Sequence, residues 1–112
     1  MSPTTRSKEE LKERGYHVEK VEYFNTFSHR MKDLWGFIDL IAIKKGEVLA
    51  VQVTGGMQHK QPHLDKMTGN ELFPLVKSAG IKIELHTWRK LIIGKFKNGN
   101  SKRGWVNDIV IL

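Results

Sequence analysis

The sequence predicts a single-domain α/β sandwich with a central mixed β-sheet flanked by helices. Three observations lead there. First, Gly36–Ile43 and Val48–Thr54 are short runs of branched apolar residues joined through Lys45-Gly46, which reads as a hairpin. Second, both strands are apolar on both faces, so both faces of the sheet must be covered. Third, helical segments precede and follow this hairpin, and further strands close the chain. The 112 residues, 39% hydrophobic and 28% charged, suit one domain spanning residues 1–112 with one core.

Each element follows from local pattern. Ser7-Lys8-Glu9-Glu10 matches a capping box, and Ser2-Pro3 offers an earlier start for the same helix. Gly15 is its left-handed cap after Arg14. Leu11 is its one large aliphatic residue, which predicts a helix along an edge of the fold. Tyr16 to Phe24 reads as a strand whose apolar parity changes at Glu19-Lys20, a bulge or bend. Asn25 to Leu34 is a polar, basic loop. Gly55-Gly56 opens a flexible segment to Gly69. Asn70 caps a second helix, Glu71 to Ala79, closed by Gly80, with Pro74 tolerated near its first turn. Leu72, Phe73, Leu75, Val76 and Ala79 would face the sheet. Ile81, Ile83 and Leu85 alternate with Lys82, Glu84 and His86, a half-exposed strand that leaves His86 on its polar side. Leu91–Lys97 and Trp105–Leu112 form a terminal hairpin around Asn98-Gly99-Asn100.

Composition narrows the function. No apolar run approaches the roughly 20 residues of a membrane span, and the N-terminal residues lack the apolar core of a signal peptide. A cytoplasmic protein with no membrane partner is expected. The absence of cysteine excludes disulfides and thiolate zinc sites. A net charge of +7 favours a polyanionic partner such as DNA.

The most informative residues are polar ones inside the apolar hairpin. If Lys44 faces Glu47 across the turn, Asp39 falls opposite Gln52, and opposed residues share a face. Alternation puts Thr54 on that face too. Polar groups in a buried sheet need partners or a purpose.

This layout of a helix, a bent strand, and a hairpin with Asp39 on one strand and Gln52-Val53-Thr54 on the next, then a helix, resembles the PD-(D/E)XK nuclease superfamily. Val21-Glu22-Tyr23-Phe24-Asn25, the basic residues before Asp33-Leu34-Trp35-Gly36, and the Gly80-to-Trp88 strand ending in Arg89-Lys90 are similar to its short phage and bacterial Holliday-junction-resolvase-like proteins. The resemblance implies a restriction-endonuclease-like fold and a Mg²⁺- or Mn²⁺-dependent endonuclease acting on branched or structured DNA as a twofold homodimer. It implies that Asp39 binds the metal. Gln52 stands where the family usually has Glu, and Thr54 where it usually has Lys.

The chemistry of the residues agrees in part. Mg²⁺ takes oxygen ligands, and Asp39, the Gln52 amide oxygen and the Val53 carbonyl can supply them. One carboxylate holds magnesium weakly, so a second is expected: Glu22 first, Asp33 second. Thr54 is neutral and brings no positive charge to a transition state; Lys60 or Lys66 is expected to stand in, with His59 assisting proton transfer. Arg30, Lys32, His59, Lys60, Lys66, Arg89 and Lys90 are the expected nucleic-acid contacts. The rival expectation is a catalytically impaired nucleic-acid-binding protein on a nuclease scaffold, and a small regulatory protein that binds another nuclease is a third.

Overall fold

The computed structural model describes residues 1–112. Helix α1 (Pro3–Glu13) starts at the earlier signal: Ser2 is its N-cap and accepts a hydrogen bond from the Thr5 N–H at 3.1 Å, with Pro3 in the first turn. Gly15, at φ 92°, ends it. Strands β1 (His17–Lys20), β4 (Leu40–Lys44), β5 (Glu47–Gly55), β6 (Lys82–Lys95) and β7 (Ser101–Ile111) form one mixed sheet in the order β1-β4-β5-β6-β7. Only the β5–β6 pairing is parallel. It is crossed by a 3₁₀ turn (Met57–His59), α2 (Lys60–Thr68) and α3 (Phe73–Ser78). Strands β2 (Tyr23–Asn25) and β3 (Arg30–Lys32) make a separate small hairpin.

Two cores confirm that both sheet faces are covered. On one face Leu11 of α1 packs with Tyr16, Val18, Leu40, Leu49, Val51 and Trp88. On the other, Met67 of α2 and Val76 of α3 pack with Phe37, Ile38, Ala50, Ile83 and Leu85.

Several expectations are corrected. Helix α1 lies across a sheet face rather than along an edge, because it is anchored by polar contacts as well as by Leu11. Ser7 is fully buried instead of capping. The Tyr16–Phe24 strand breaks in two: after Lys20 the chain leaves the main sheet and starts the small hairpin. The basic loop supplies that hairpin's second strand. The segment expected to be flexible between Gly55 and Gly69 instead forms a 3₁₀ turn at Met57–His59 and α2 at Lys60–Thr68, with Met67 buried as its anchor. In α3, Val76 faces the sheet but Leu75 is 64% exposed, because a helix of six residues offers only one narrow stripe to its neighbour.

His86 is the largest correction. The first half of strand β6 is flanked by β5 and β7 and buried on both faces, and His86 has no exposure at all. Trp88 Nε1 donates to Ser7 Oγ at 2.8 Å, Ser7 Oγ meets His86 Nδ1 at 2.8 Å, and His86 Nε2 meets Glu84 at 2.8 Å. Arg14 closes the chain with two 3.0 Å hydrogen bonds to the same carboxylate. Every atom is satisfied if Ser7 donates to Nδ1 and Nε2–H donates to Glu84. Burial works against the Glu84 carboxylate, yet His86 and Arg14 together hold it at about 2. The order serine–histidine–glutamate looks like a nucleophilic triad. With Ser7 and His86 sealed from solvent, it instead ties α1 to β6.

Candidate functional site

Lys44 faces Glu47, and the register carries Leu40 opposite Val51. Asp39 and Gln52 lie one residue beyond the last pair, where the Asp39 N–H donates to the Val51 carbonyl at 2.9 Å, and their side chains touch: Gln52 Nε2 donates to Asp39 Oδ2 at 2.8 Å. The Val53 N–H donates to the same oxygen at 2.8 Å. Gln52 Oε1, on the carbon that bears Nε2, is buried with no partner. Asp39 and Gln52 are 4% and 3% exposed.

Two backbone features bring further carboxylates to Asp39. The Val21 N–H donates to the Asp39 carbonyl at 2.9 Å, which sets Glu22 beside it. The chain from Asp33 to Asp39 doubles back through a Leu34–Ile38 bridge, with hydrogen bonds in both directions between those residues. This turn requires φ 52° at Trp35 and 84° at Gly36. A left-handed tryptophan costs about 1–2 kcal/mol, and Asn70 Nδ2 holds it by donating to the Trp35 carbonyl at 3.0 Å. The result is a cluster of Glu22, Asp33 and Asp39 whose ligand oxygens all lie within 4.8 Å of one another. Both expected second carboxylates reach Asp39.

The electrostatics follow from crowding. Burial pushes the Asp39 carboxyl up to about 8, and its shared hydrogen bond with Asp33 and the charges of Asp33 and Glu22 push the same way. The Val53 N–H opposes them and loses. Crowding thus favours a proton held between Asp39 and Asp33.

The cluster opens on solvent through half-buried Glu22 and Asp33. Beside it runs an open groove of about 590 Å³, bounded by Tyr23, Met31 and Lys32 of the small hairpin, Asp33 to Gly36, and Lys66 of α2. Lys66 Nζ lies 3.3 Å from Asp33. Trp35 also walls an apolar cavity of about 270 Å³ with Leu72, Leu75, Val76, Ala79 and Ile81.

The remaining expected residues are scattered. Thr54 is buried on β5. The Val53 carbonyl receives only a long 3.5 Å contact from Gln52 Nε2. Lys60 is engaged by Asp108 of β7 at 3.4 Å, so Lys66 is the lysine held at the acidic cluster. The His59 carbonyl meets His63 Nδ1 at 2.8 Å, and the His59 side chain is exposed. Arg30 and Lys32 project from β3. Arg89 and Lys90 sit where β6 leaves the core, Lys90 over the Trp105 ring at 5.7 Å. Sequence reasoning missed Tyr23, Met31 and Asn70. Gly36 reads from sequence as the start of a strand, whereas the strand begins at Leu40 and Gly36 lies in the turn. No protein-family model and no curated protein matches this chain.

Proposed function

We propose that the protein is a metal-dependent DNA endonuclease of restriction-endonuclease-like fold, acting on branched or structured DNA in the manner of the Holliday-junction-resolvase-like proteins it resembles. One observation carries this reading: the carboxylates of Glu22 and Asp33 converge on a buried Asp39–Gln52 pair at the rim of an open groove.

The donor set suits a hard divalent cation. Half-buried Glu22 and Asp33 and buried Asp39 offer carboxylate oxygens within 4.8 Å of one another, the ligand type such a cation takes. A cation there offsets the mutual repulsion of the three acids, and the orphaned Gln52 Oε1 gains a use if the amide turns over. Glu22, Asp33 and Asp39 would hold Mg²⁺ or Mn²⁺, which supplies Lewis-acid polarisation of a phosphate and a water of lowered pKa.

The chain's own groups do the rest. Asp39 would hold the ion as the carboxylate, its proton lost to solvent. Lys32 and Lys66 line the groove and position phosphate. Lys66, beside Asp33, brings the positive charge that neutral Thr54 does not. A twofold dimer would let two such sites cut opposed strands.

The test is cleavage of synthetic four-way junctions, duplex and single strands with Mg²⁺ or Mn²⁺. Cutting that disappears in Asp39→Asn is the expected outcome. Junction binding with no cutting under either ion sinks the enzymatic reading. It would favour the catalytically impaired nucleic-acid-binding protein, which Thr54 at the family's lysine position supports. In that case Gln52→Glu with Thr54→Lys should confer cutting.

A further inference from the structure

The chain's excess charge is concentrated in one element. It has 19 Lys and Arg against 12 Asp and Glu. The segment Arg89–Arg103 holds six of those cations (Arg89, Lys90, Lys95, Lys97, Lys102, Arg103) and no acid. The rest of the chain is nearly neutral, 13 cations against 12 acids. A net charge of +7 is thus one +6 arm attached to a balanced body.

This arm is built to stand away from the core. β5 ends at Gly55 opposite Trp88, so beyond Trp88 β6 pairs with β7 alone. Residues 90–95 of β6 and 101–103 of β7 are all exposed. Six residues of free ribbon extend about 20 Å, in keeping with a molecule 52 Å long and 24 Å thin. Its apolar side chains are bare too: Ile92 is 61% exposed, Ile93 57% and Phe96 55%. Cross-strand register places Lys90, Ile92, Arg103 and Trp105 on the face shared with Trp88. Arg6 of α1 adds a cation there, 4.3 Å over the Trp105 ring.

An isolated hairpin is marginal in water, and bare isoleucines on a protruding ribbon are costly to maintain. Six like charges oppose pairing with the arm of a second copy. They complement a polyanion.

We infer that the β6–β7 arm is the protein's duplex-DNA-binding element and lies in the major groove. A two-stranded ribbon fits a B-form major groove about 12 Å wide. The major groove of A-form RNA is too deep and narrow for it. The cations take the phosphates on either side, and exposed Ile92, on the face with Lys90 and Arg103, meets the base edges, where apolar contact with thymine methyls is available. The arm's role stands whether or not the Asp39 cluster cuts DNA.

The test is fluorescence anisotropy of full-length protein on a labelled duplex, in EDTA, across a salt series. EDTA removes cleavage from the measurement, so an inactive Asp39 site leaves the result unaffected. Replacing Lys95, Lys97, Lys102 and Arg103 together by Gln should flatten the log K against log salt slope by about 3–4 and weaken binding by about 10²–10³-fold near 0.1 M salt. Lys95→Arg, Lys97→Arg and Lys102→Arg together keep the charge and should keep the slope. Arg30→Gln with Lys32→Gln, on the other hairpin, should change the slope less than the fourfold variant does. Far-UV circular dichroism establishes that each variant is folded. Unchanged slope and affinity in a folded fourfold-Gln variant overturn the inference. So does tighter binding to duplex RNA than to DNA, or binding to phosphatidylserine vesicles with none to DNA.

Discussion

Asp39 is ionised in an unfolded chain near neutral pH, whereas burial and its acidic neighbours favour the protonated form in the folded one, and this sets a sign. Its folded pKa of about 8 lies above its ordinary 3.8. Between those values the native state binds the extra proton, so this group's contribution to stability falls as pH rises from about 4 to 8. A bound cation removes the penalty. The thermal midpoint should therefore rise more on adding Mn²⁺ at pH 8 than at pH 5, and Asp39→Asn should abolish that difference while making the metal-free protein more stable at pH 8. Equal Mn²⁺ shifts at both pH values would mean that the ion binds elsewhere. Glu84 behaves oppositely. Held at about 2, below its ordinary 4.5, it stabilises the fold above pH 4.5 and loses that contribution as pH falls toward 2. Arg14 is partly exposed, so Arg14→Ala should cost about 1–3 kcal/mol at pH 7 by urea denaturation, and the difference should shrink below pH 4. The Asp39–Gln52 contact was legible in the sequence, because a two-residue turn in an antiparallel pair dictates what lies opposite. The His86 network was not. Alternating polar residues on a strand signal exposure only when one face is free, and which strand is central is a long-range fact.

At the scale of elements, local signals worked where the cause was local. Ser2-Pro3, Gly15 and the Asn98-Gly99-Asn100 turn act within a few residues, and the structure uses all three. The Gly55–Gly69 segment became helix with no side-chain cap at its start. Burial of Met67 against the sheet holds it, and a tertiary cause leaves no local mark. The turn from Asp33 to Asp39 is an element in its own right, since it converts six residues of sequence separation into carboxylate contact. Gly36 sits at φ 84° there, and a Cβ would meet Asn70 Nδ2 at 3.0 Å. Gly36→Ala should cost about 1–2 kcal/mol in urea denaturation and weaken the Mn²⁺-induced thermal shift, because the turn that delivers Asp33 would open. A destabilised variant with a full Mn²⁺ shift would exclude Asp33 from the site.

Across the whole molecule, the acidic cluster and the excess positive charge are separated. The acidic cluster lies on the α2 and α3 side of the sheet, at the exit of β4 toward the small hairpin. The cationic arm leaves from the other end of the element order, where β6 outruns β5. Such a division suits a protein that grips a long polyanion at one place and meets a single phosphate at another. The body is nearly neutral, so the protein's long-range positive field comes from the arm.

Sequence alone determined the α/β class, the hairpin register, the meeting of Asp39 with Gln52 and the basic balance. These follow from periodicity, turn geometry and counting, which act locally or need no structure. Only the tertiary structure decided that Glu22 and Asp33 both reach Asp39, that Lys66 and not Lys60 stands beside them, that His86 is sealed inside, and that the positive charge projects from the core as an arm. Each depends on strand order and on where one strand outlasts its neighbour, and those are set by the packing of segments far apart in the chain.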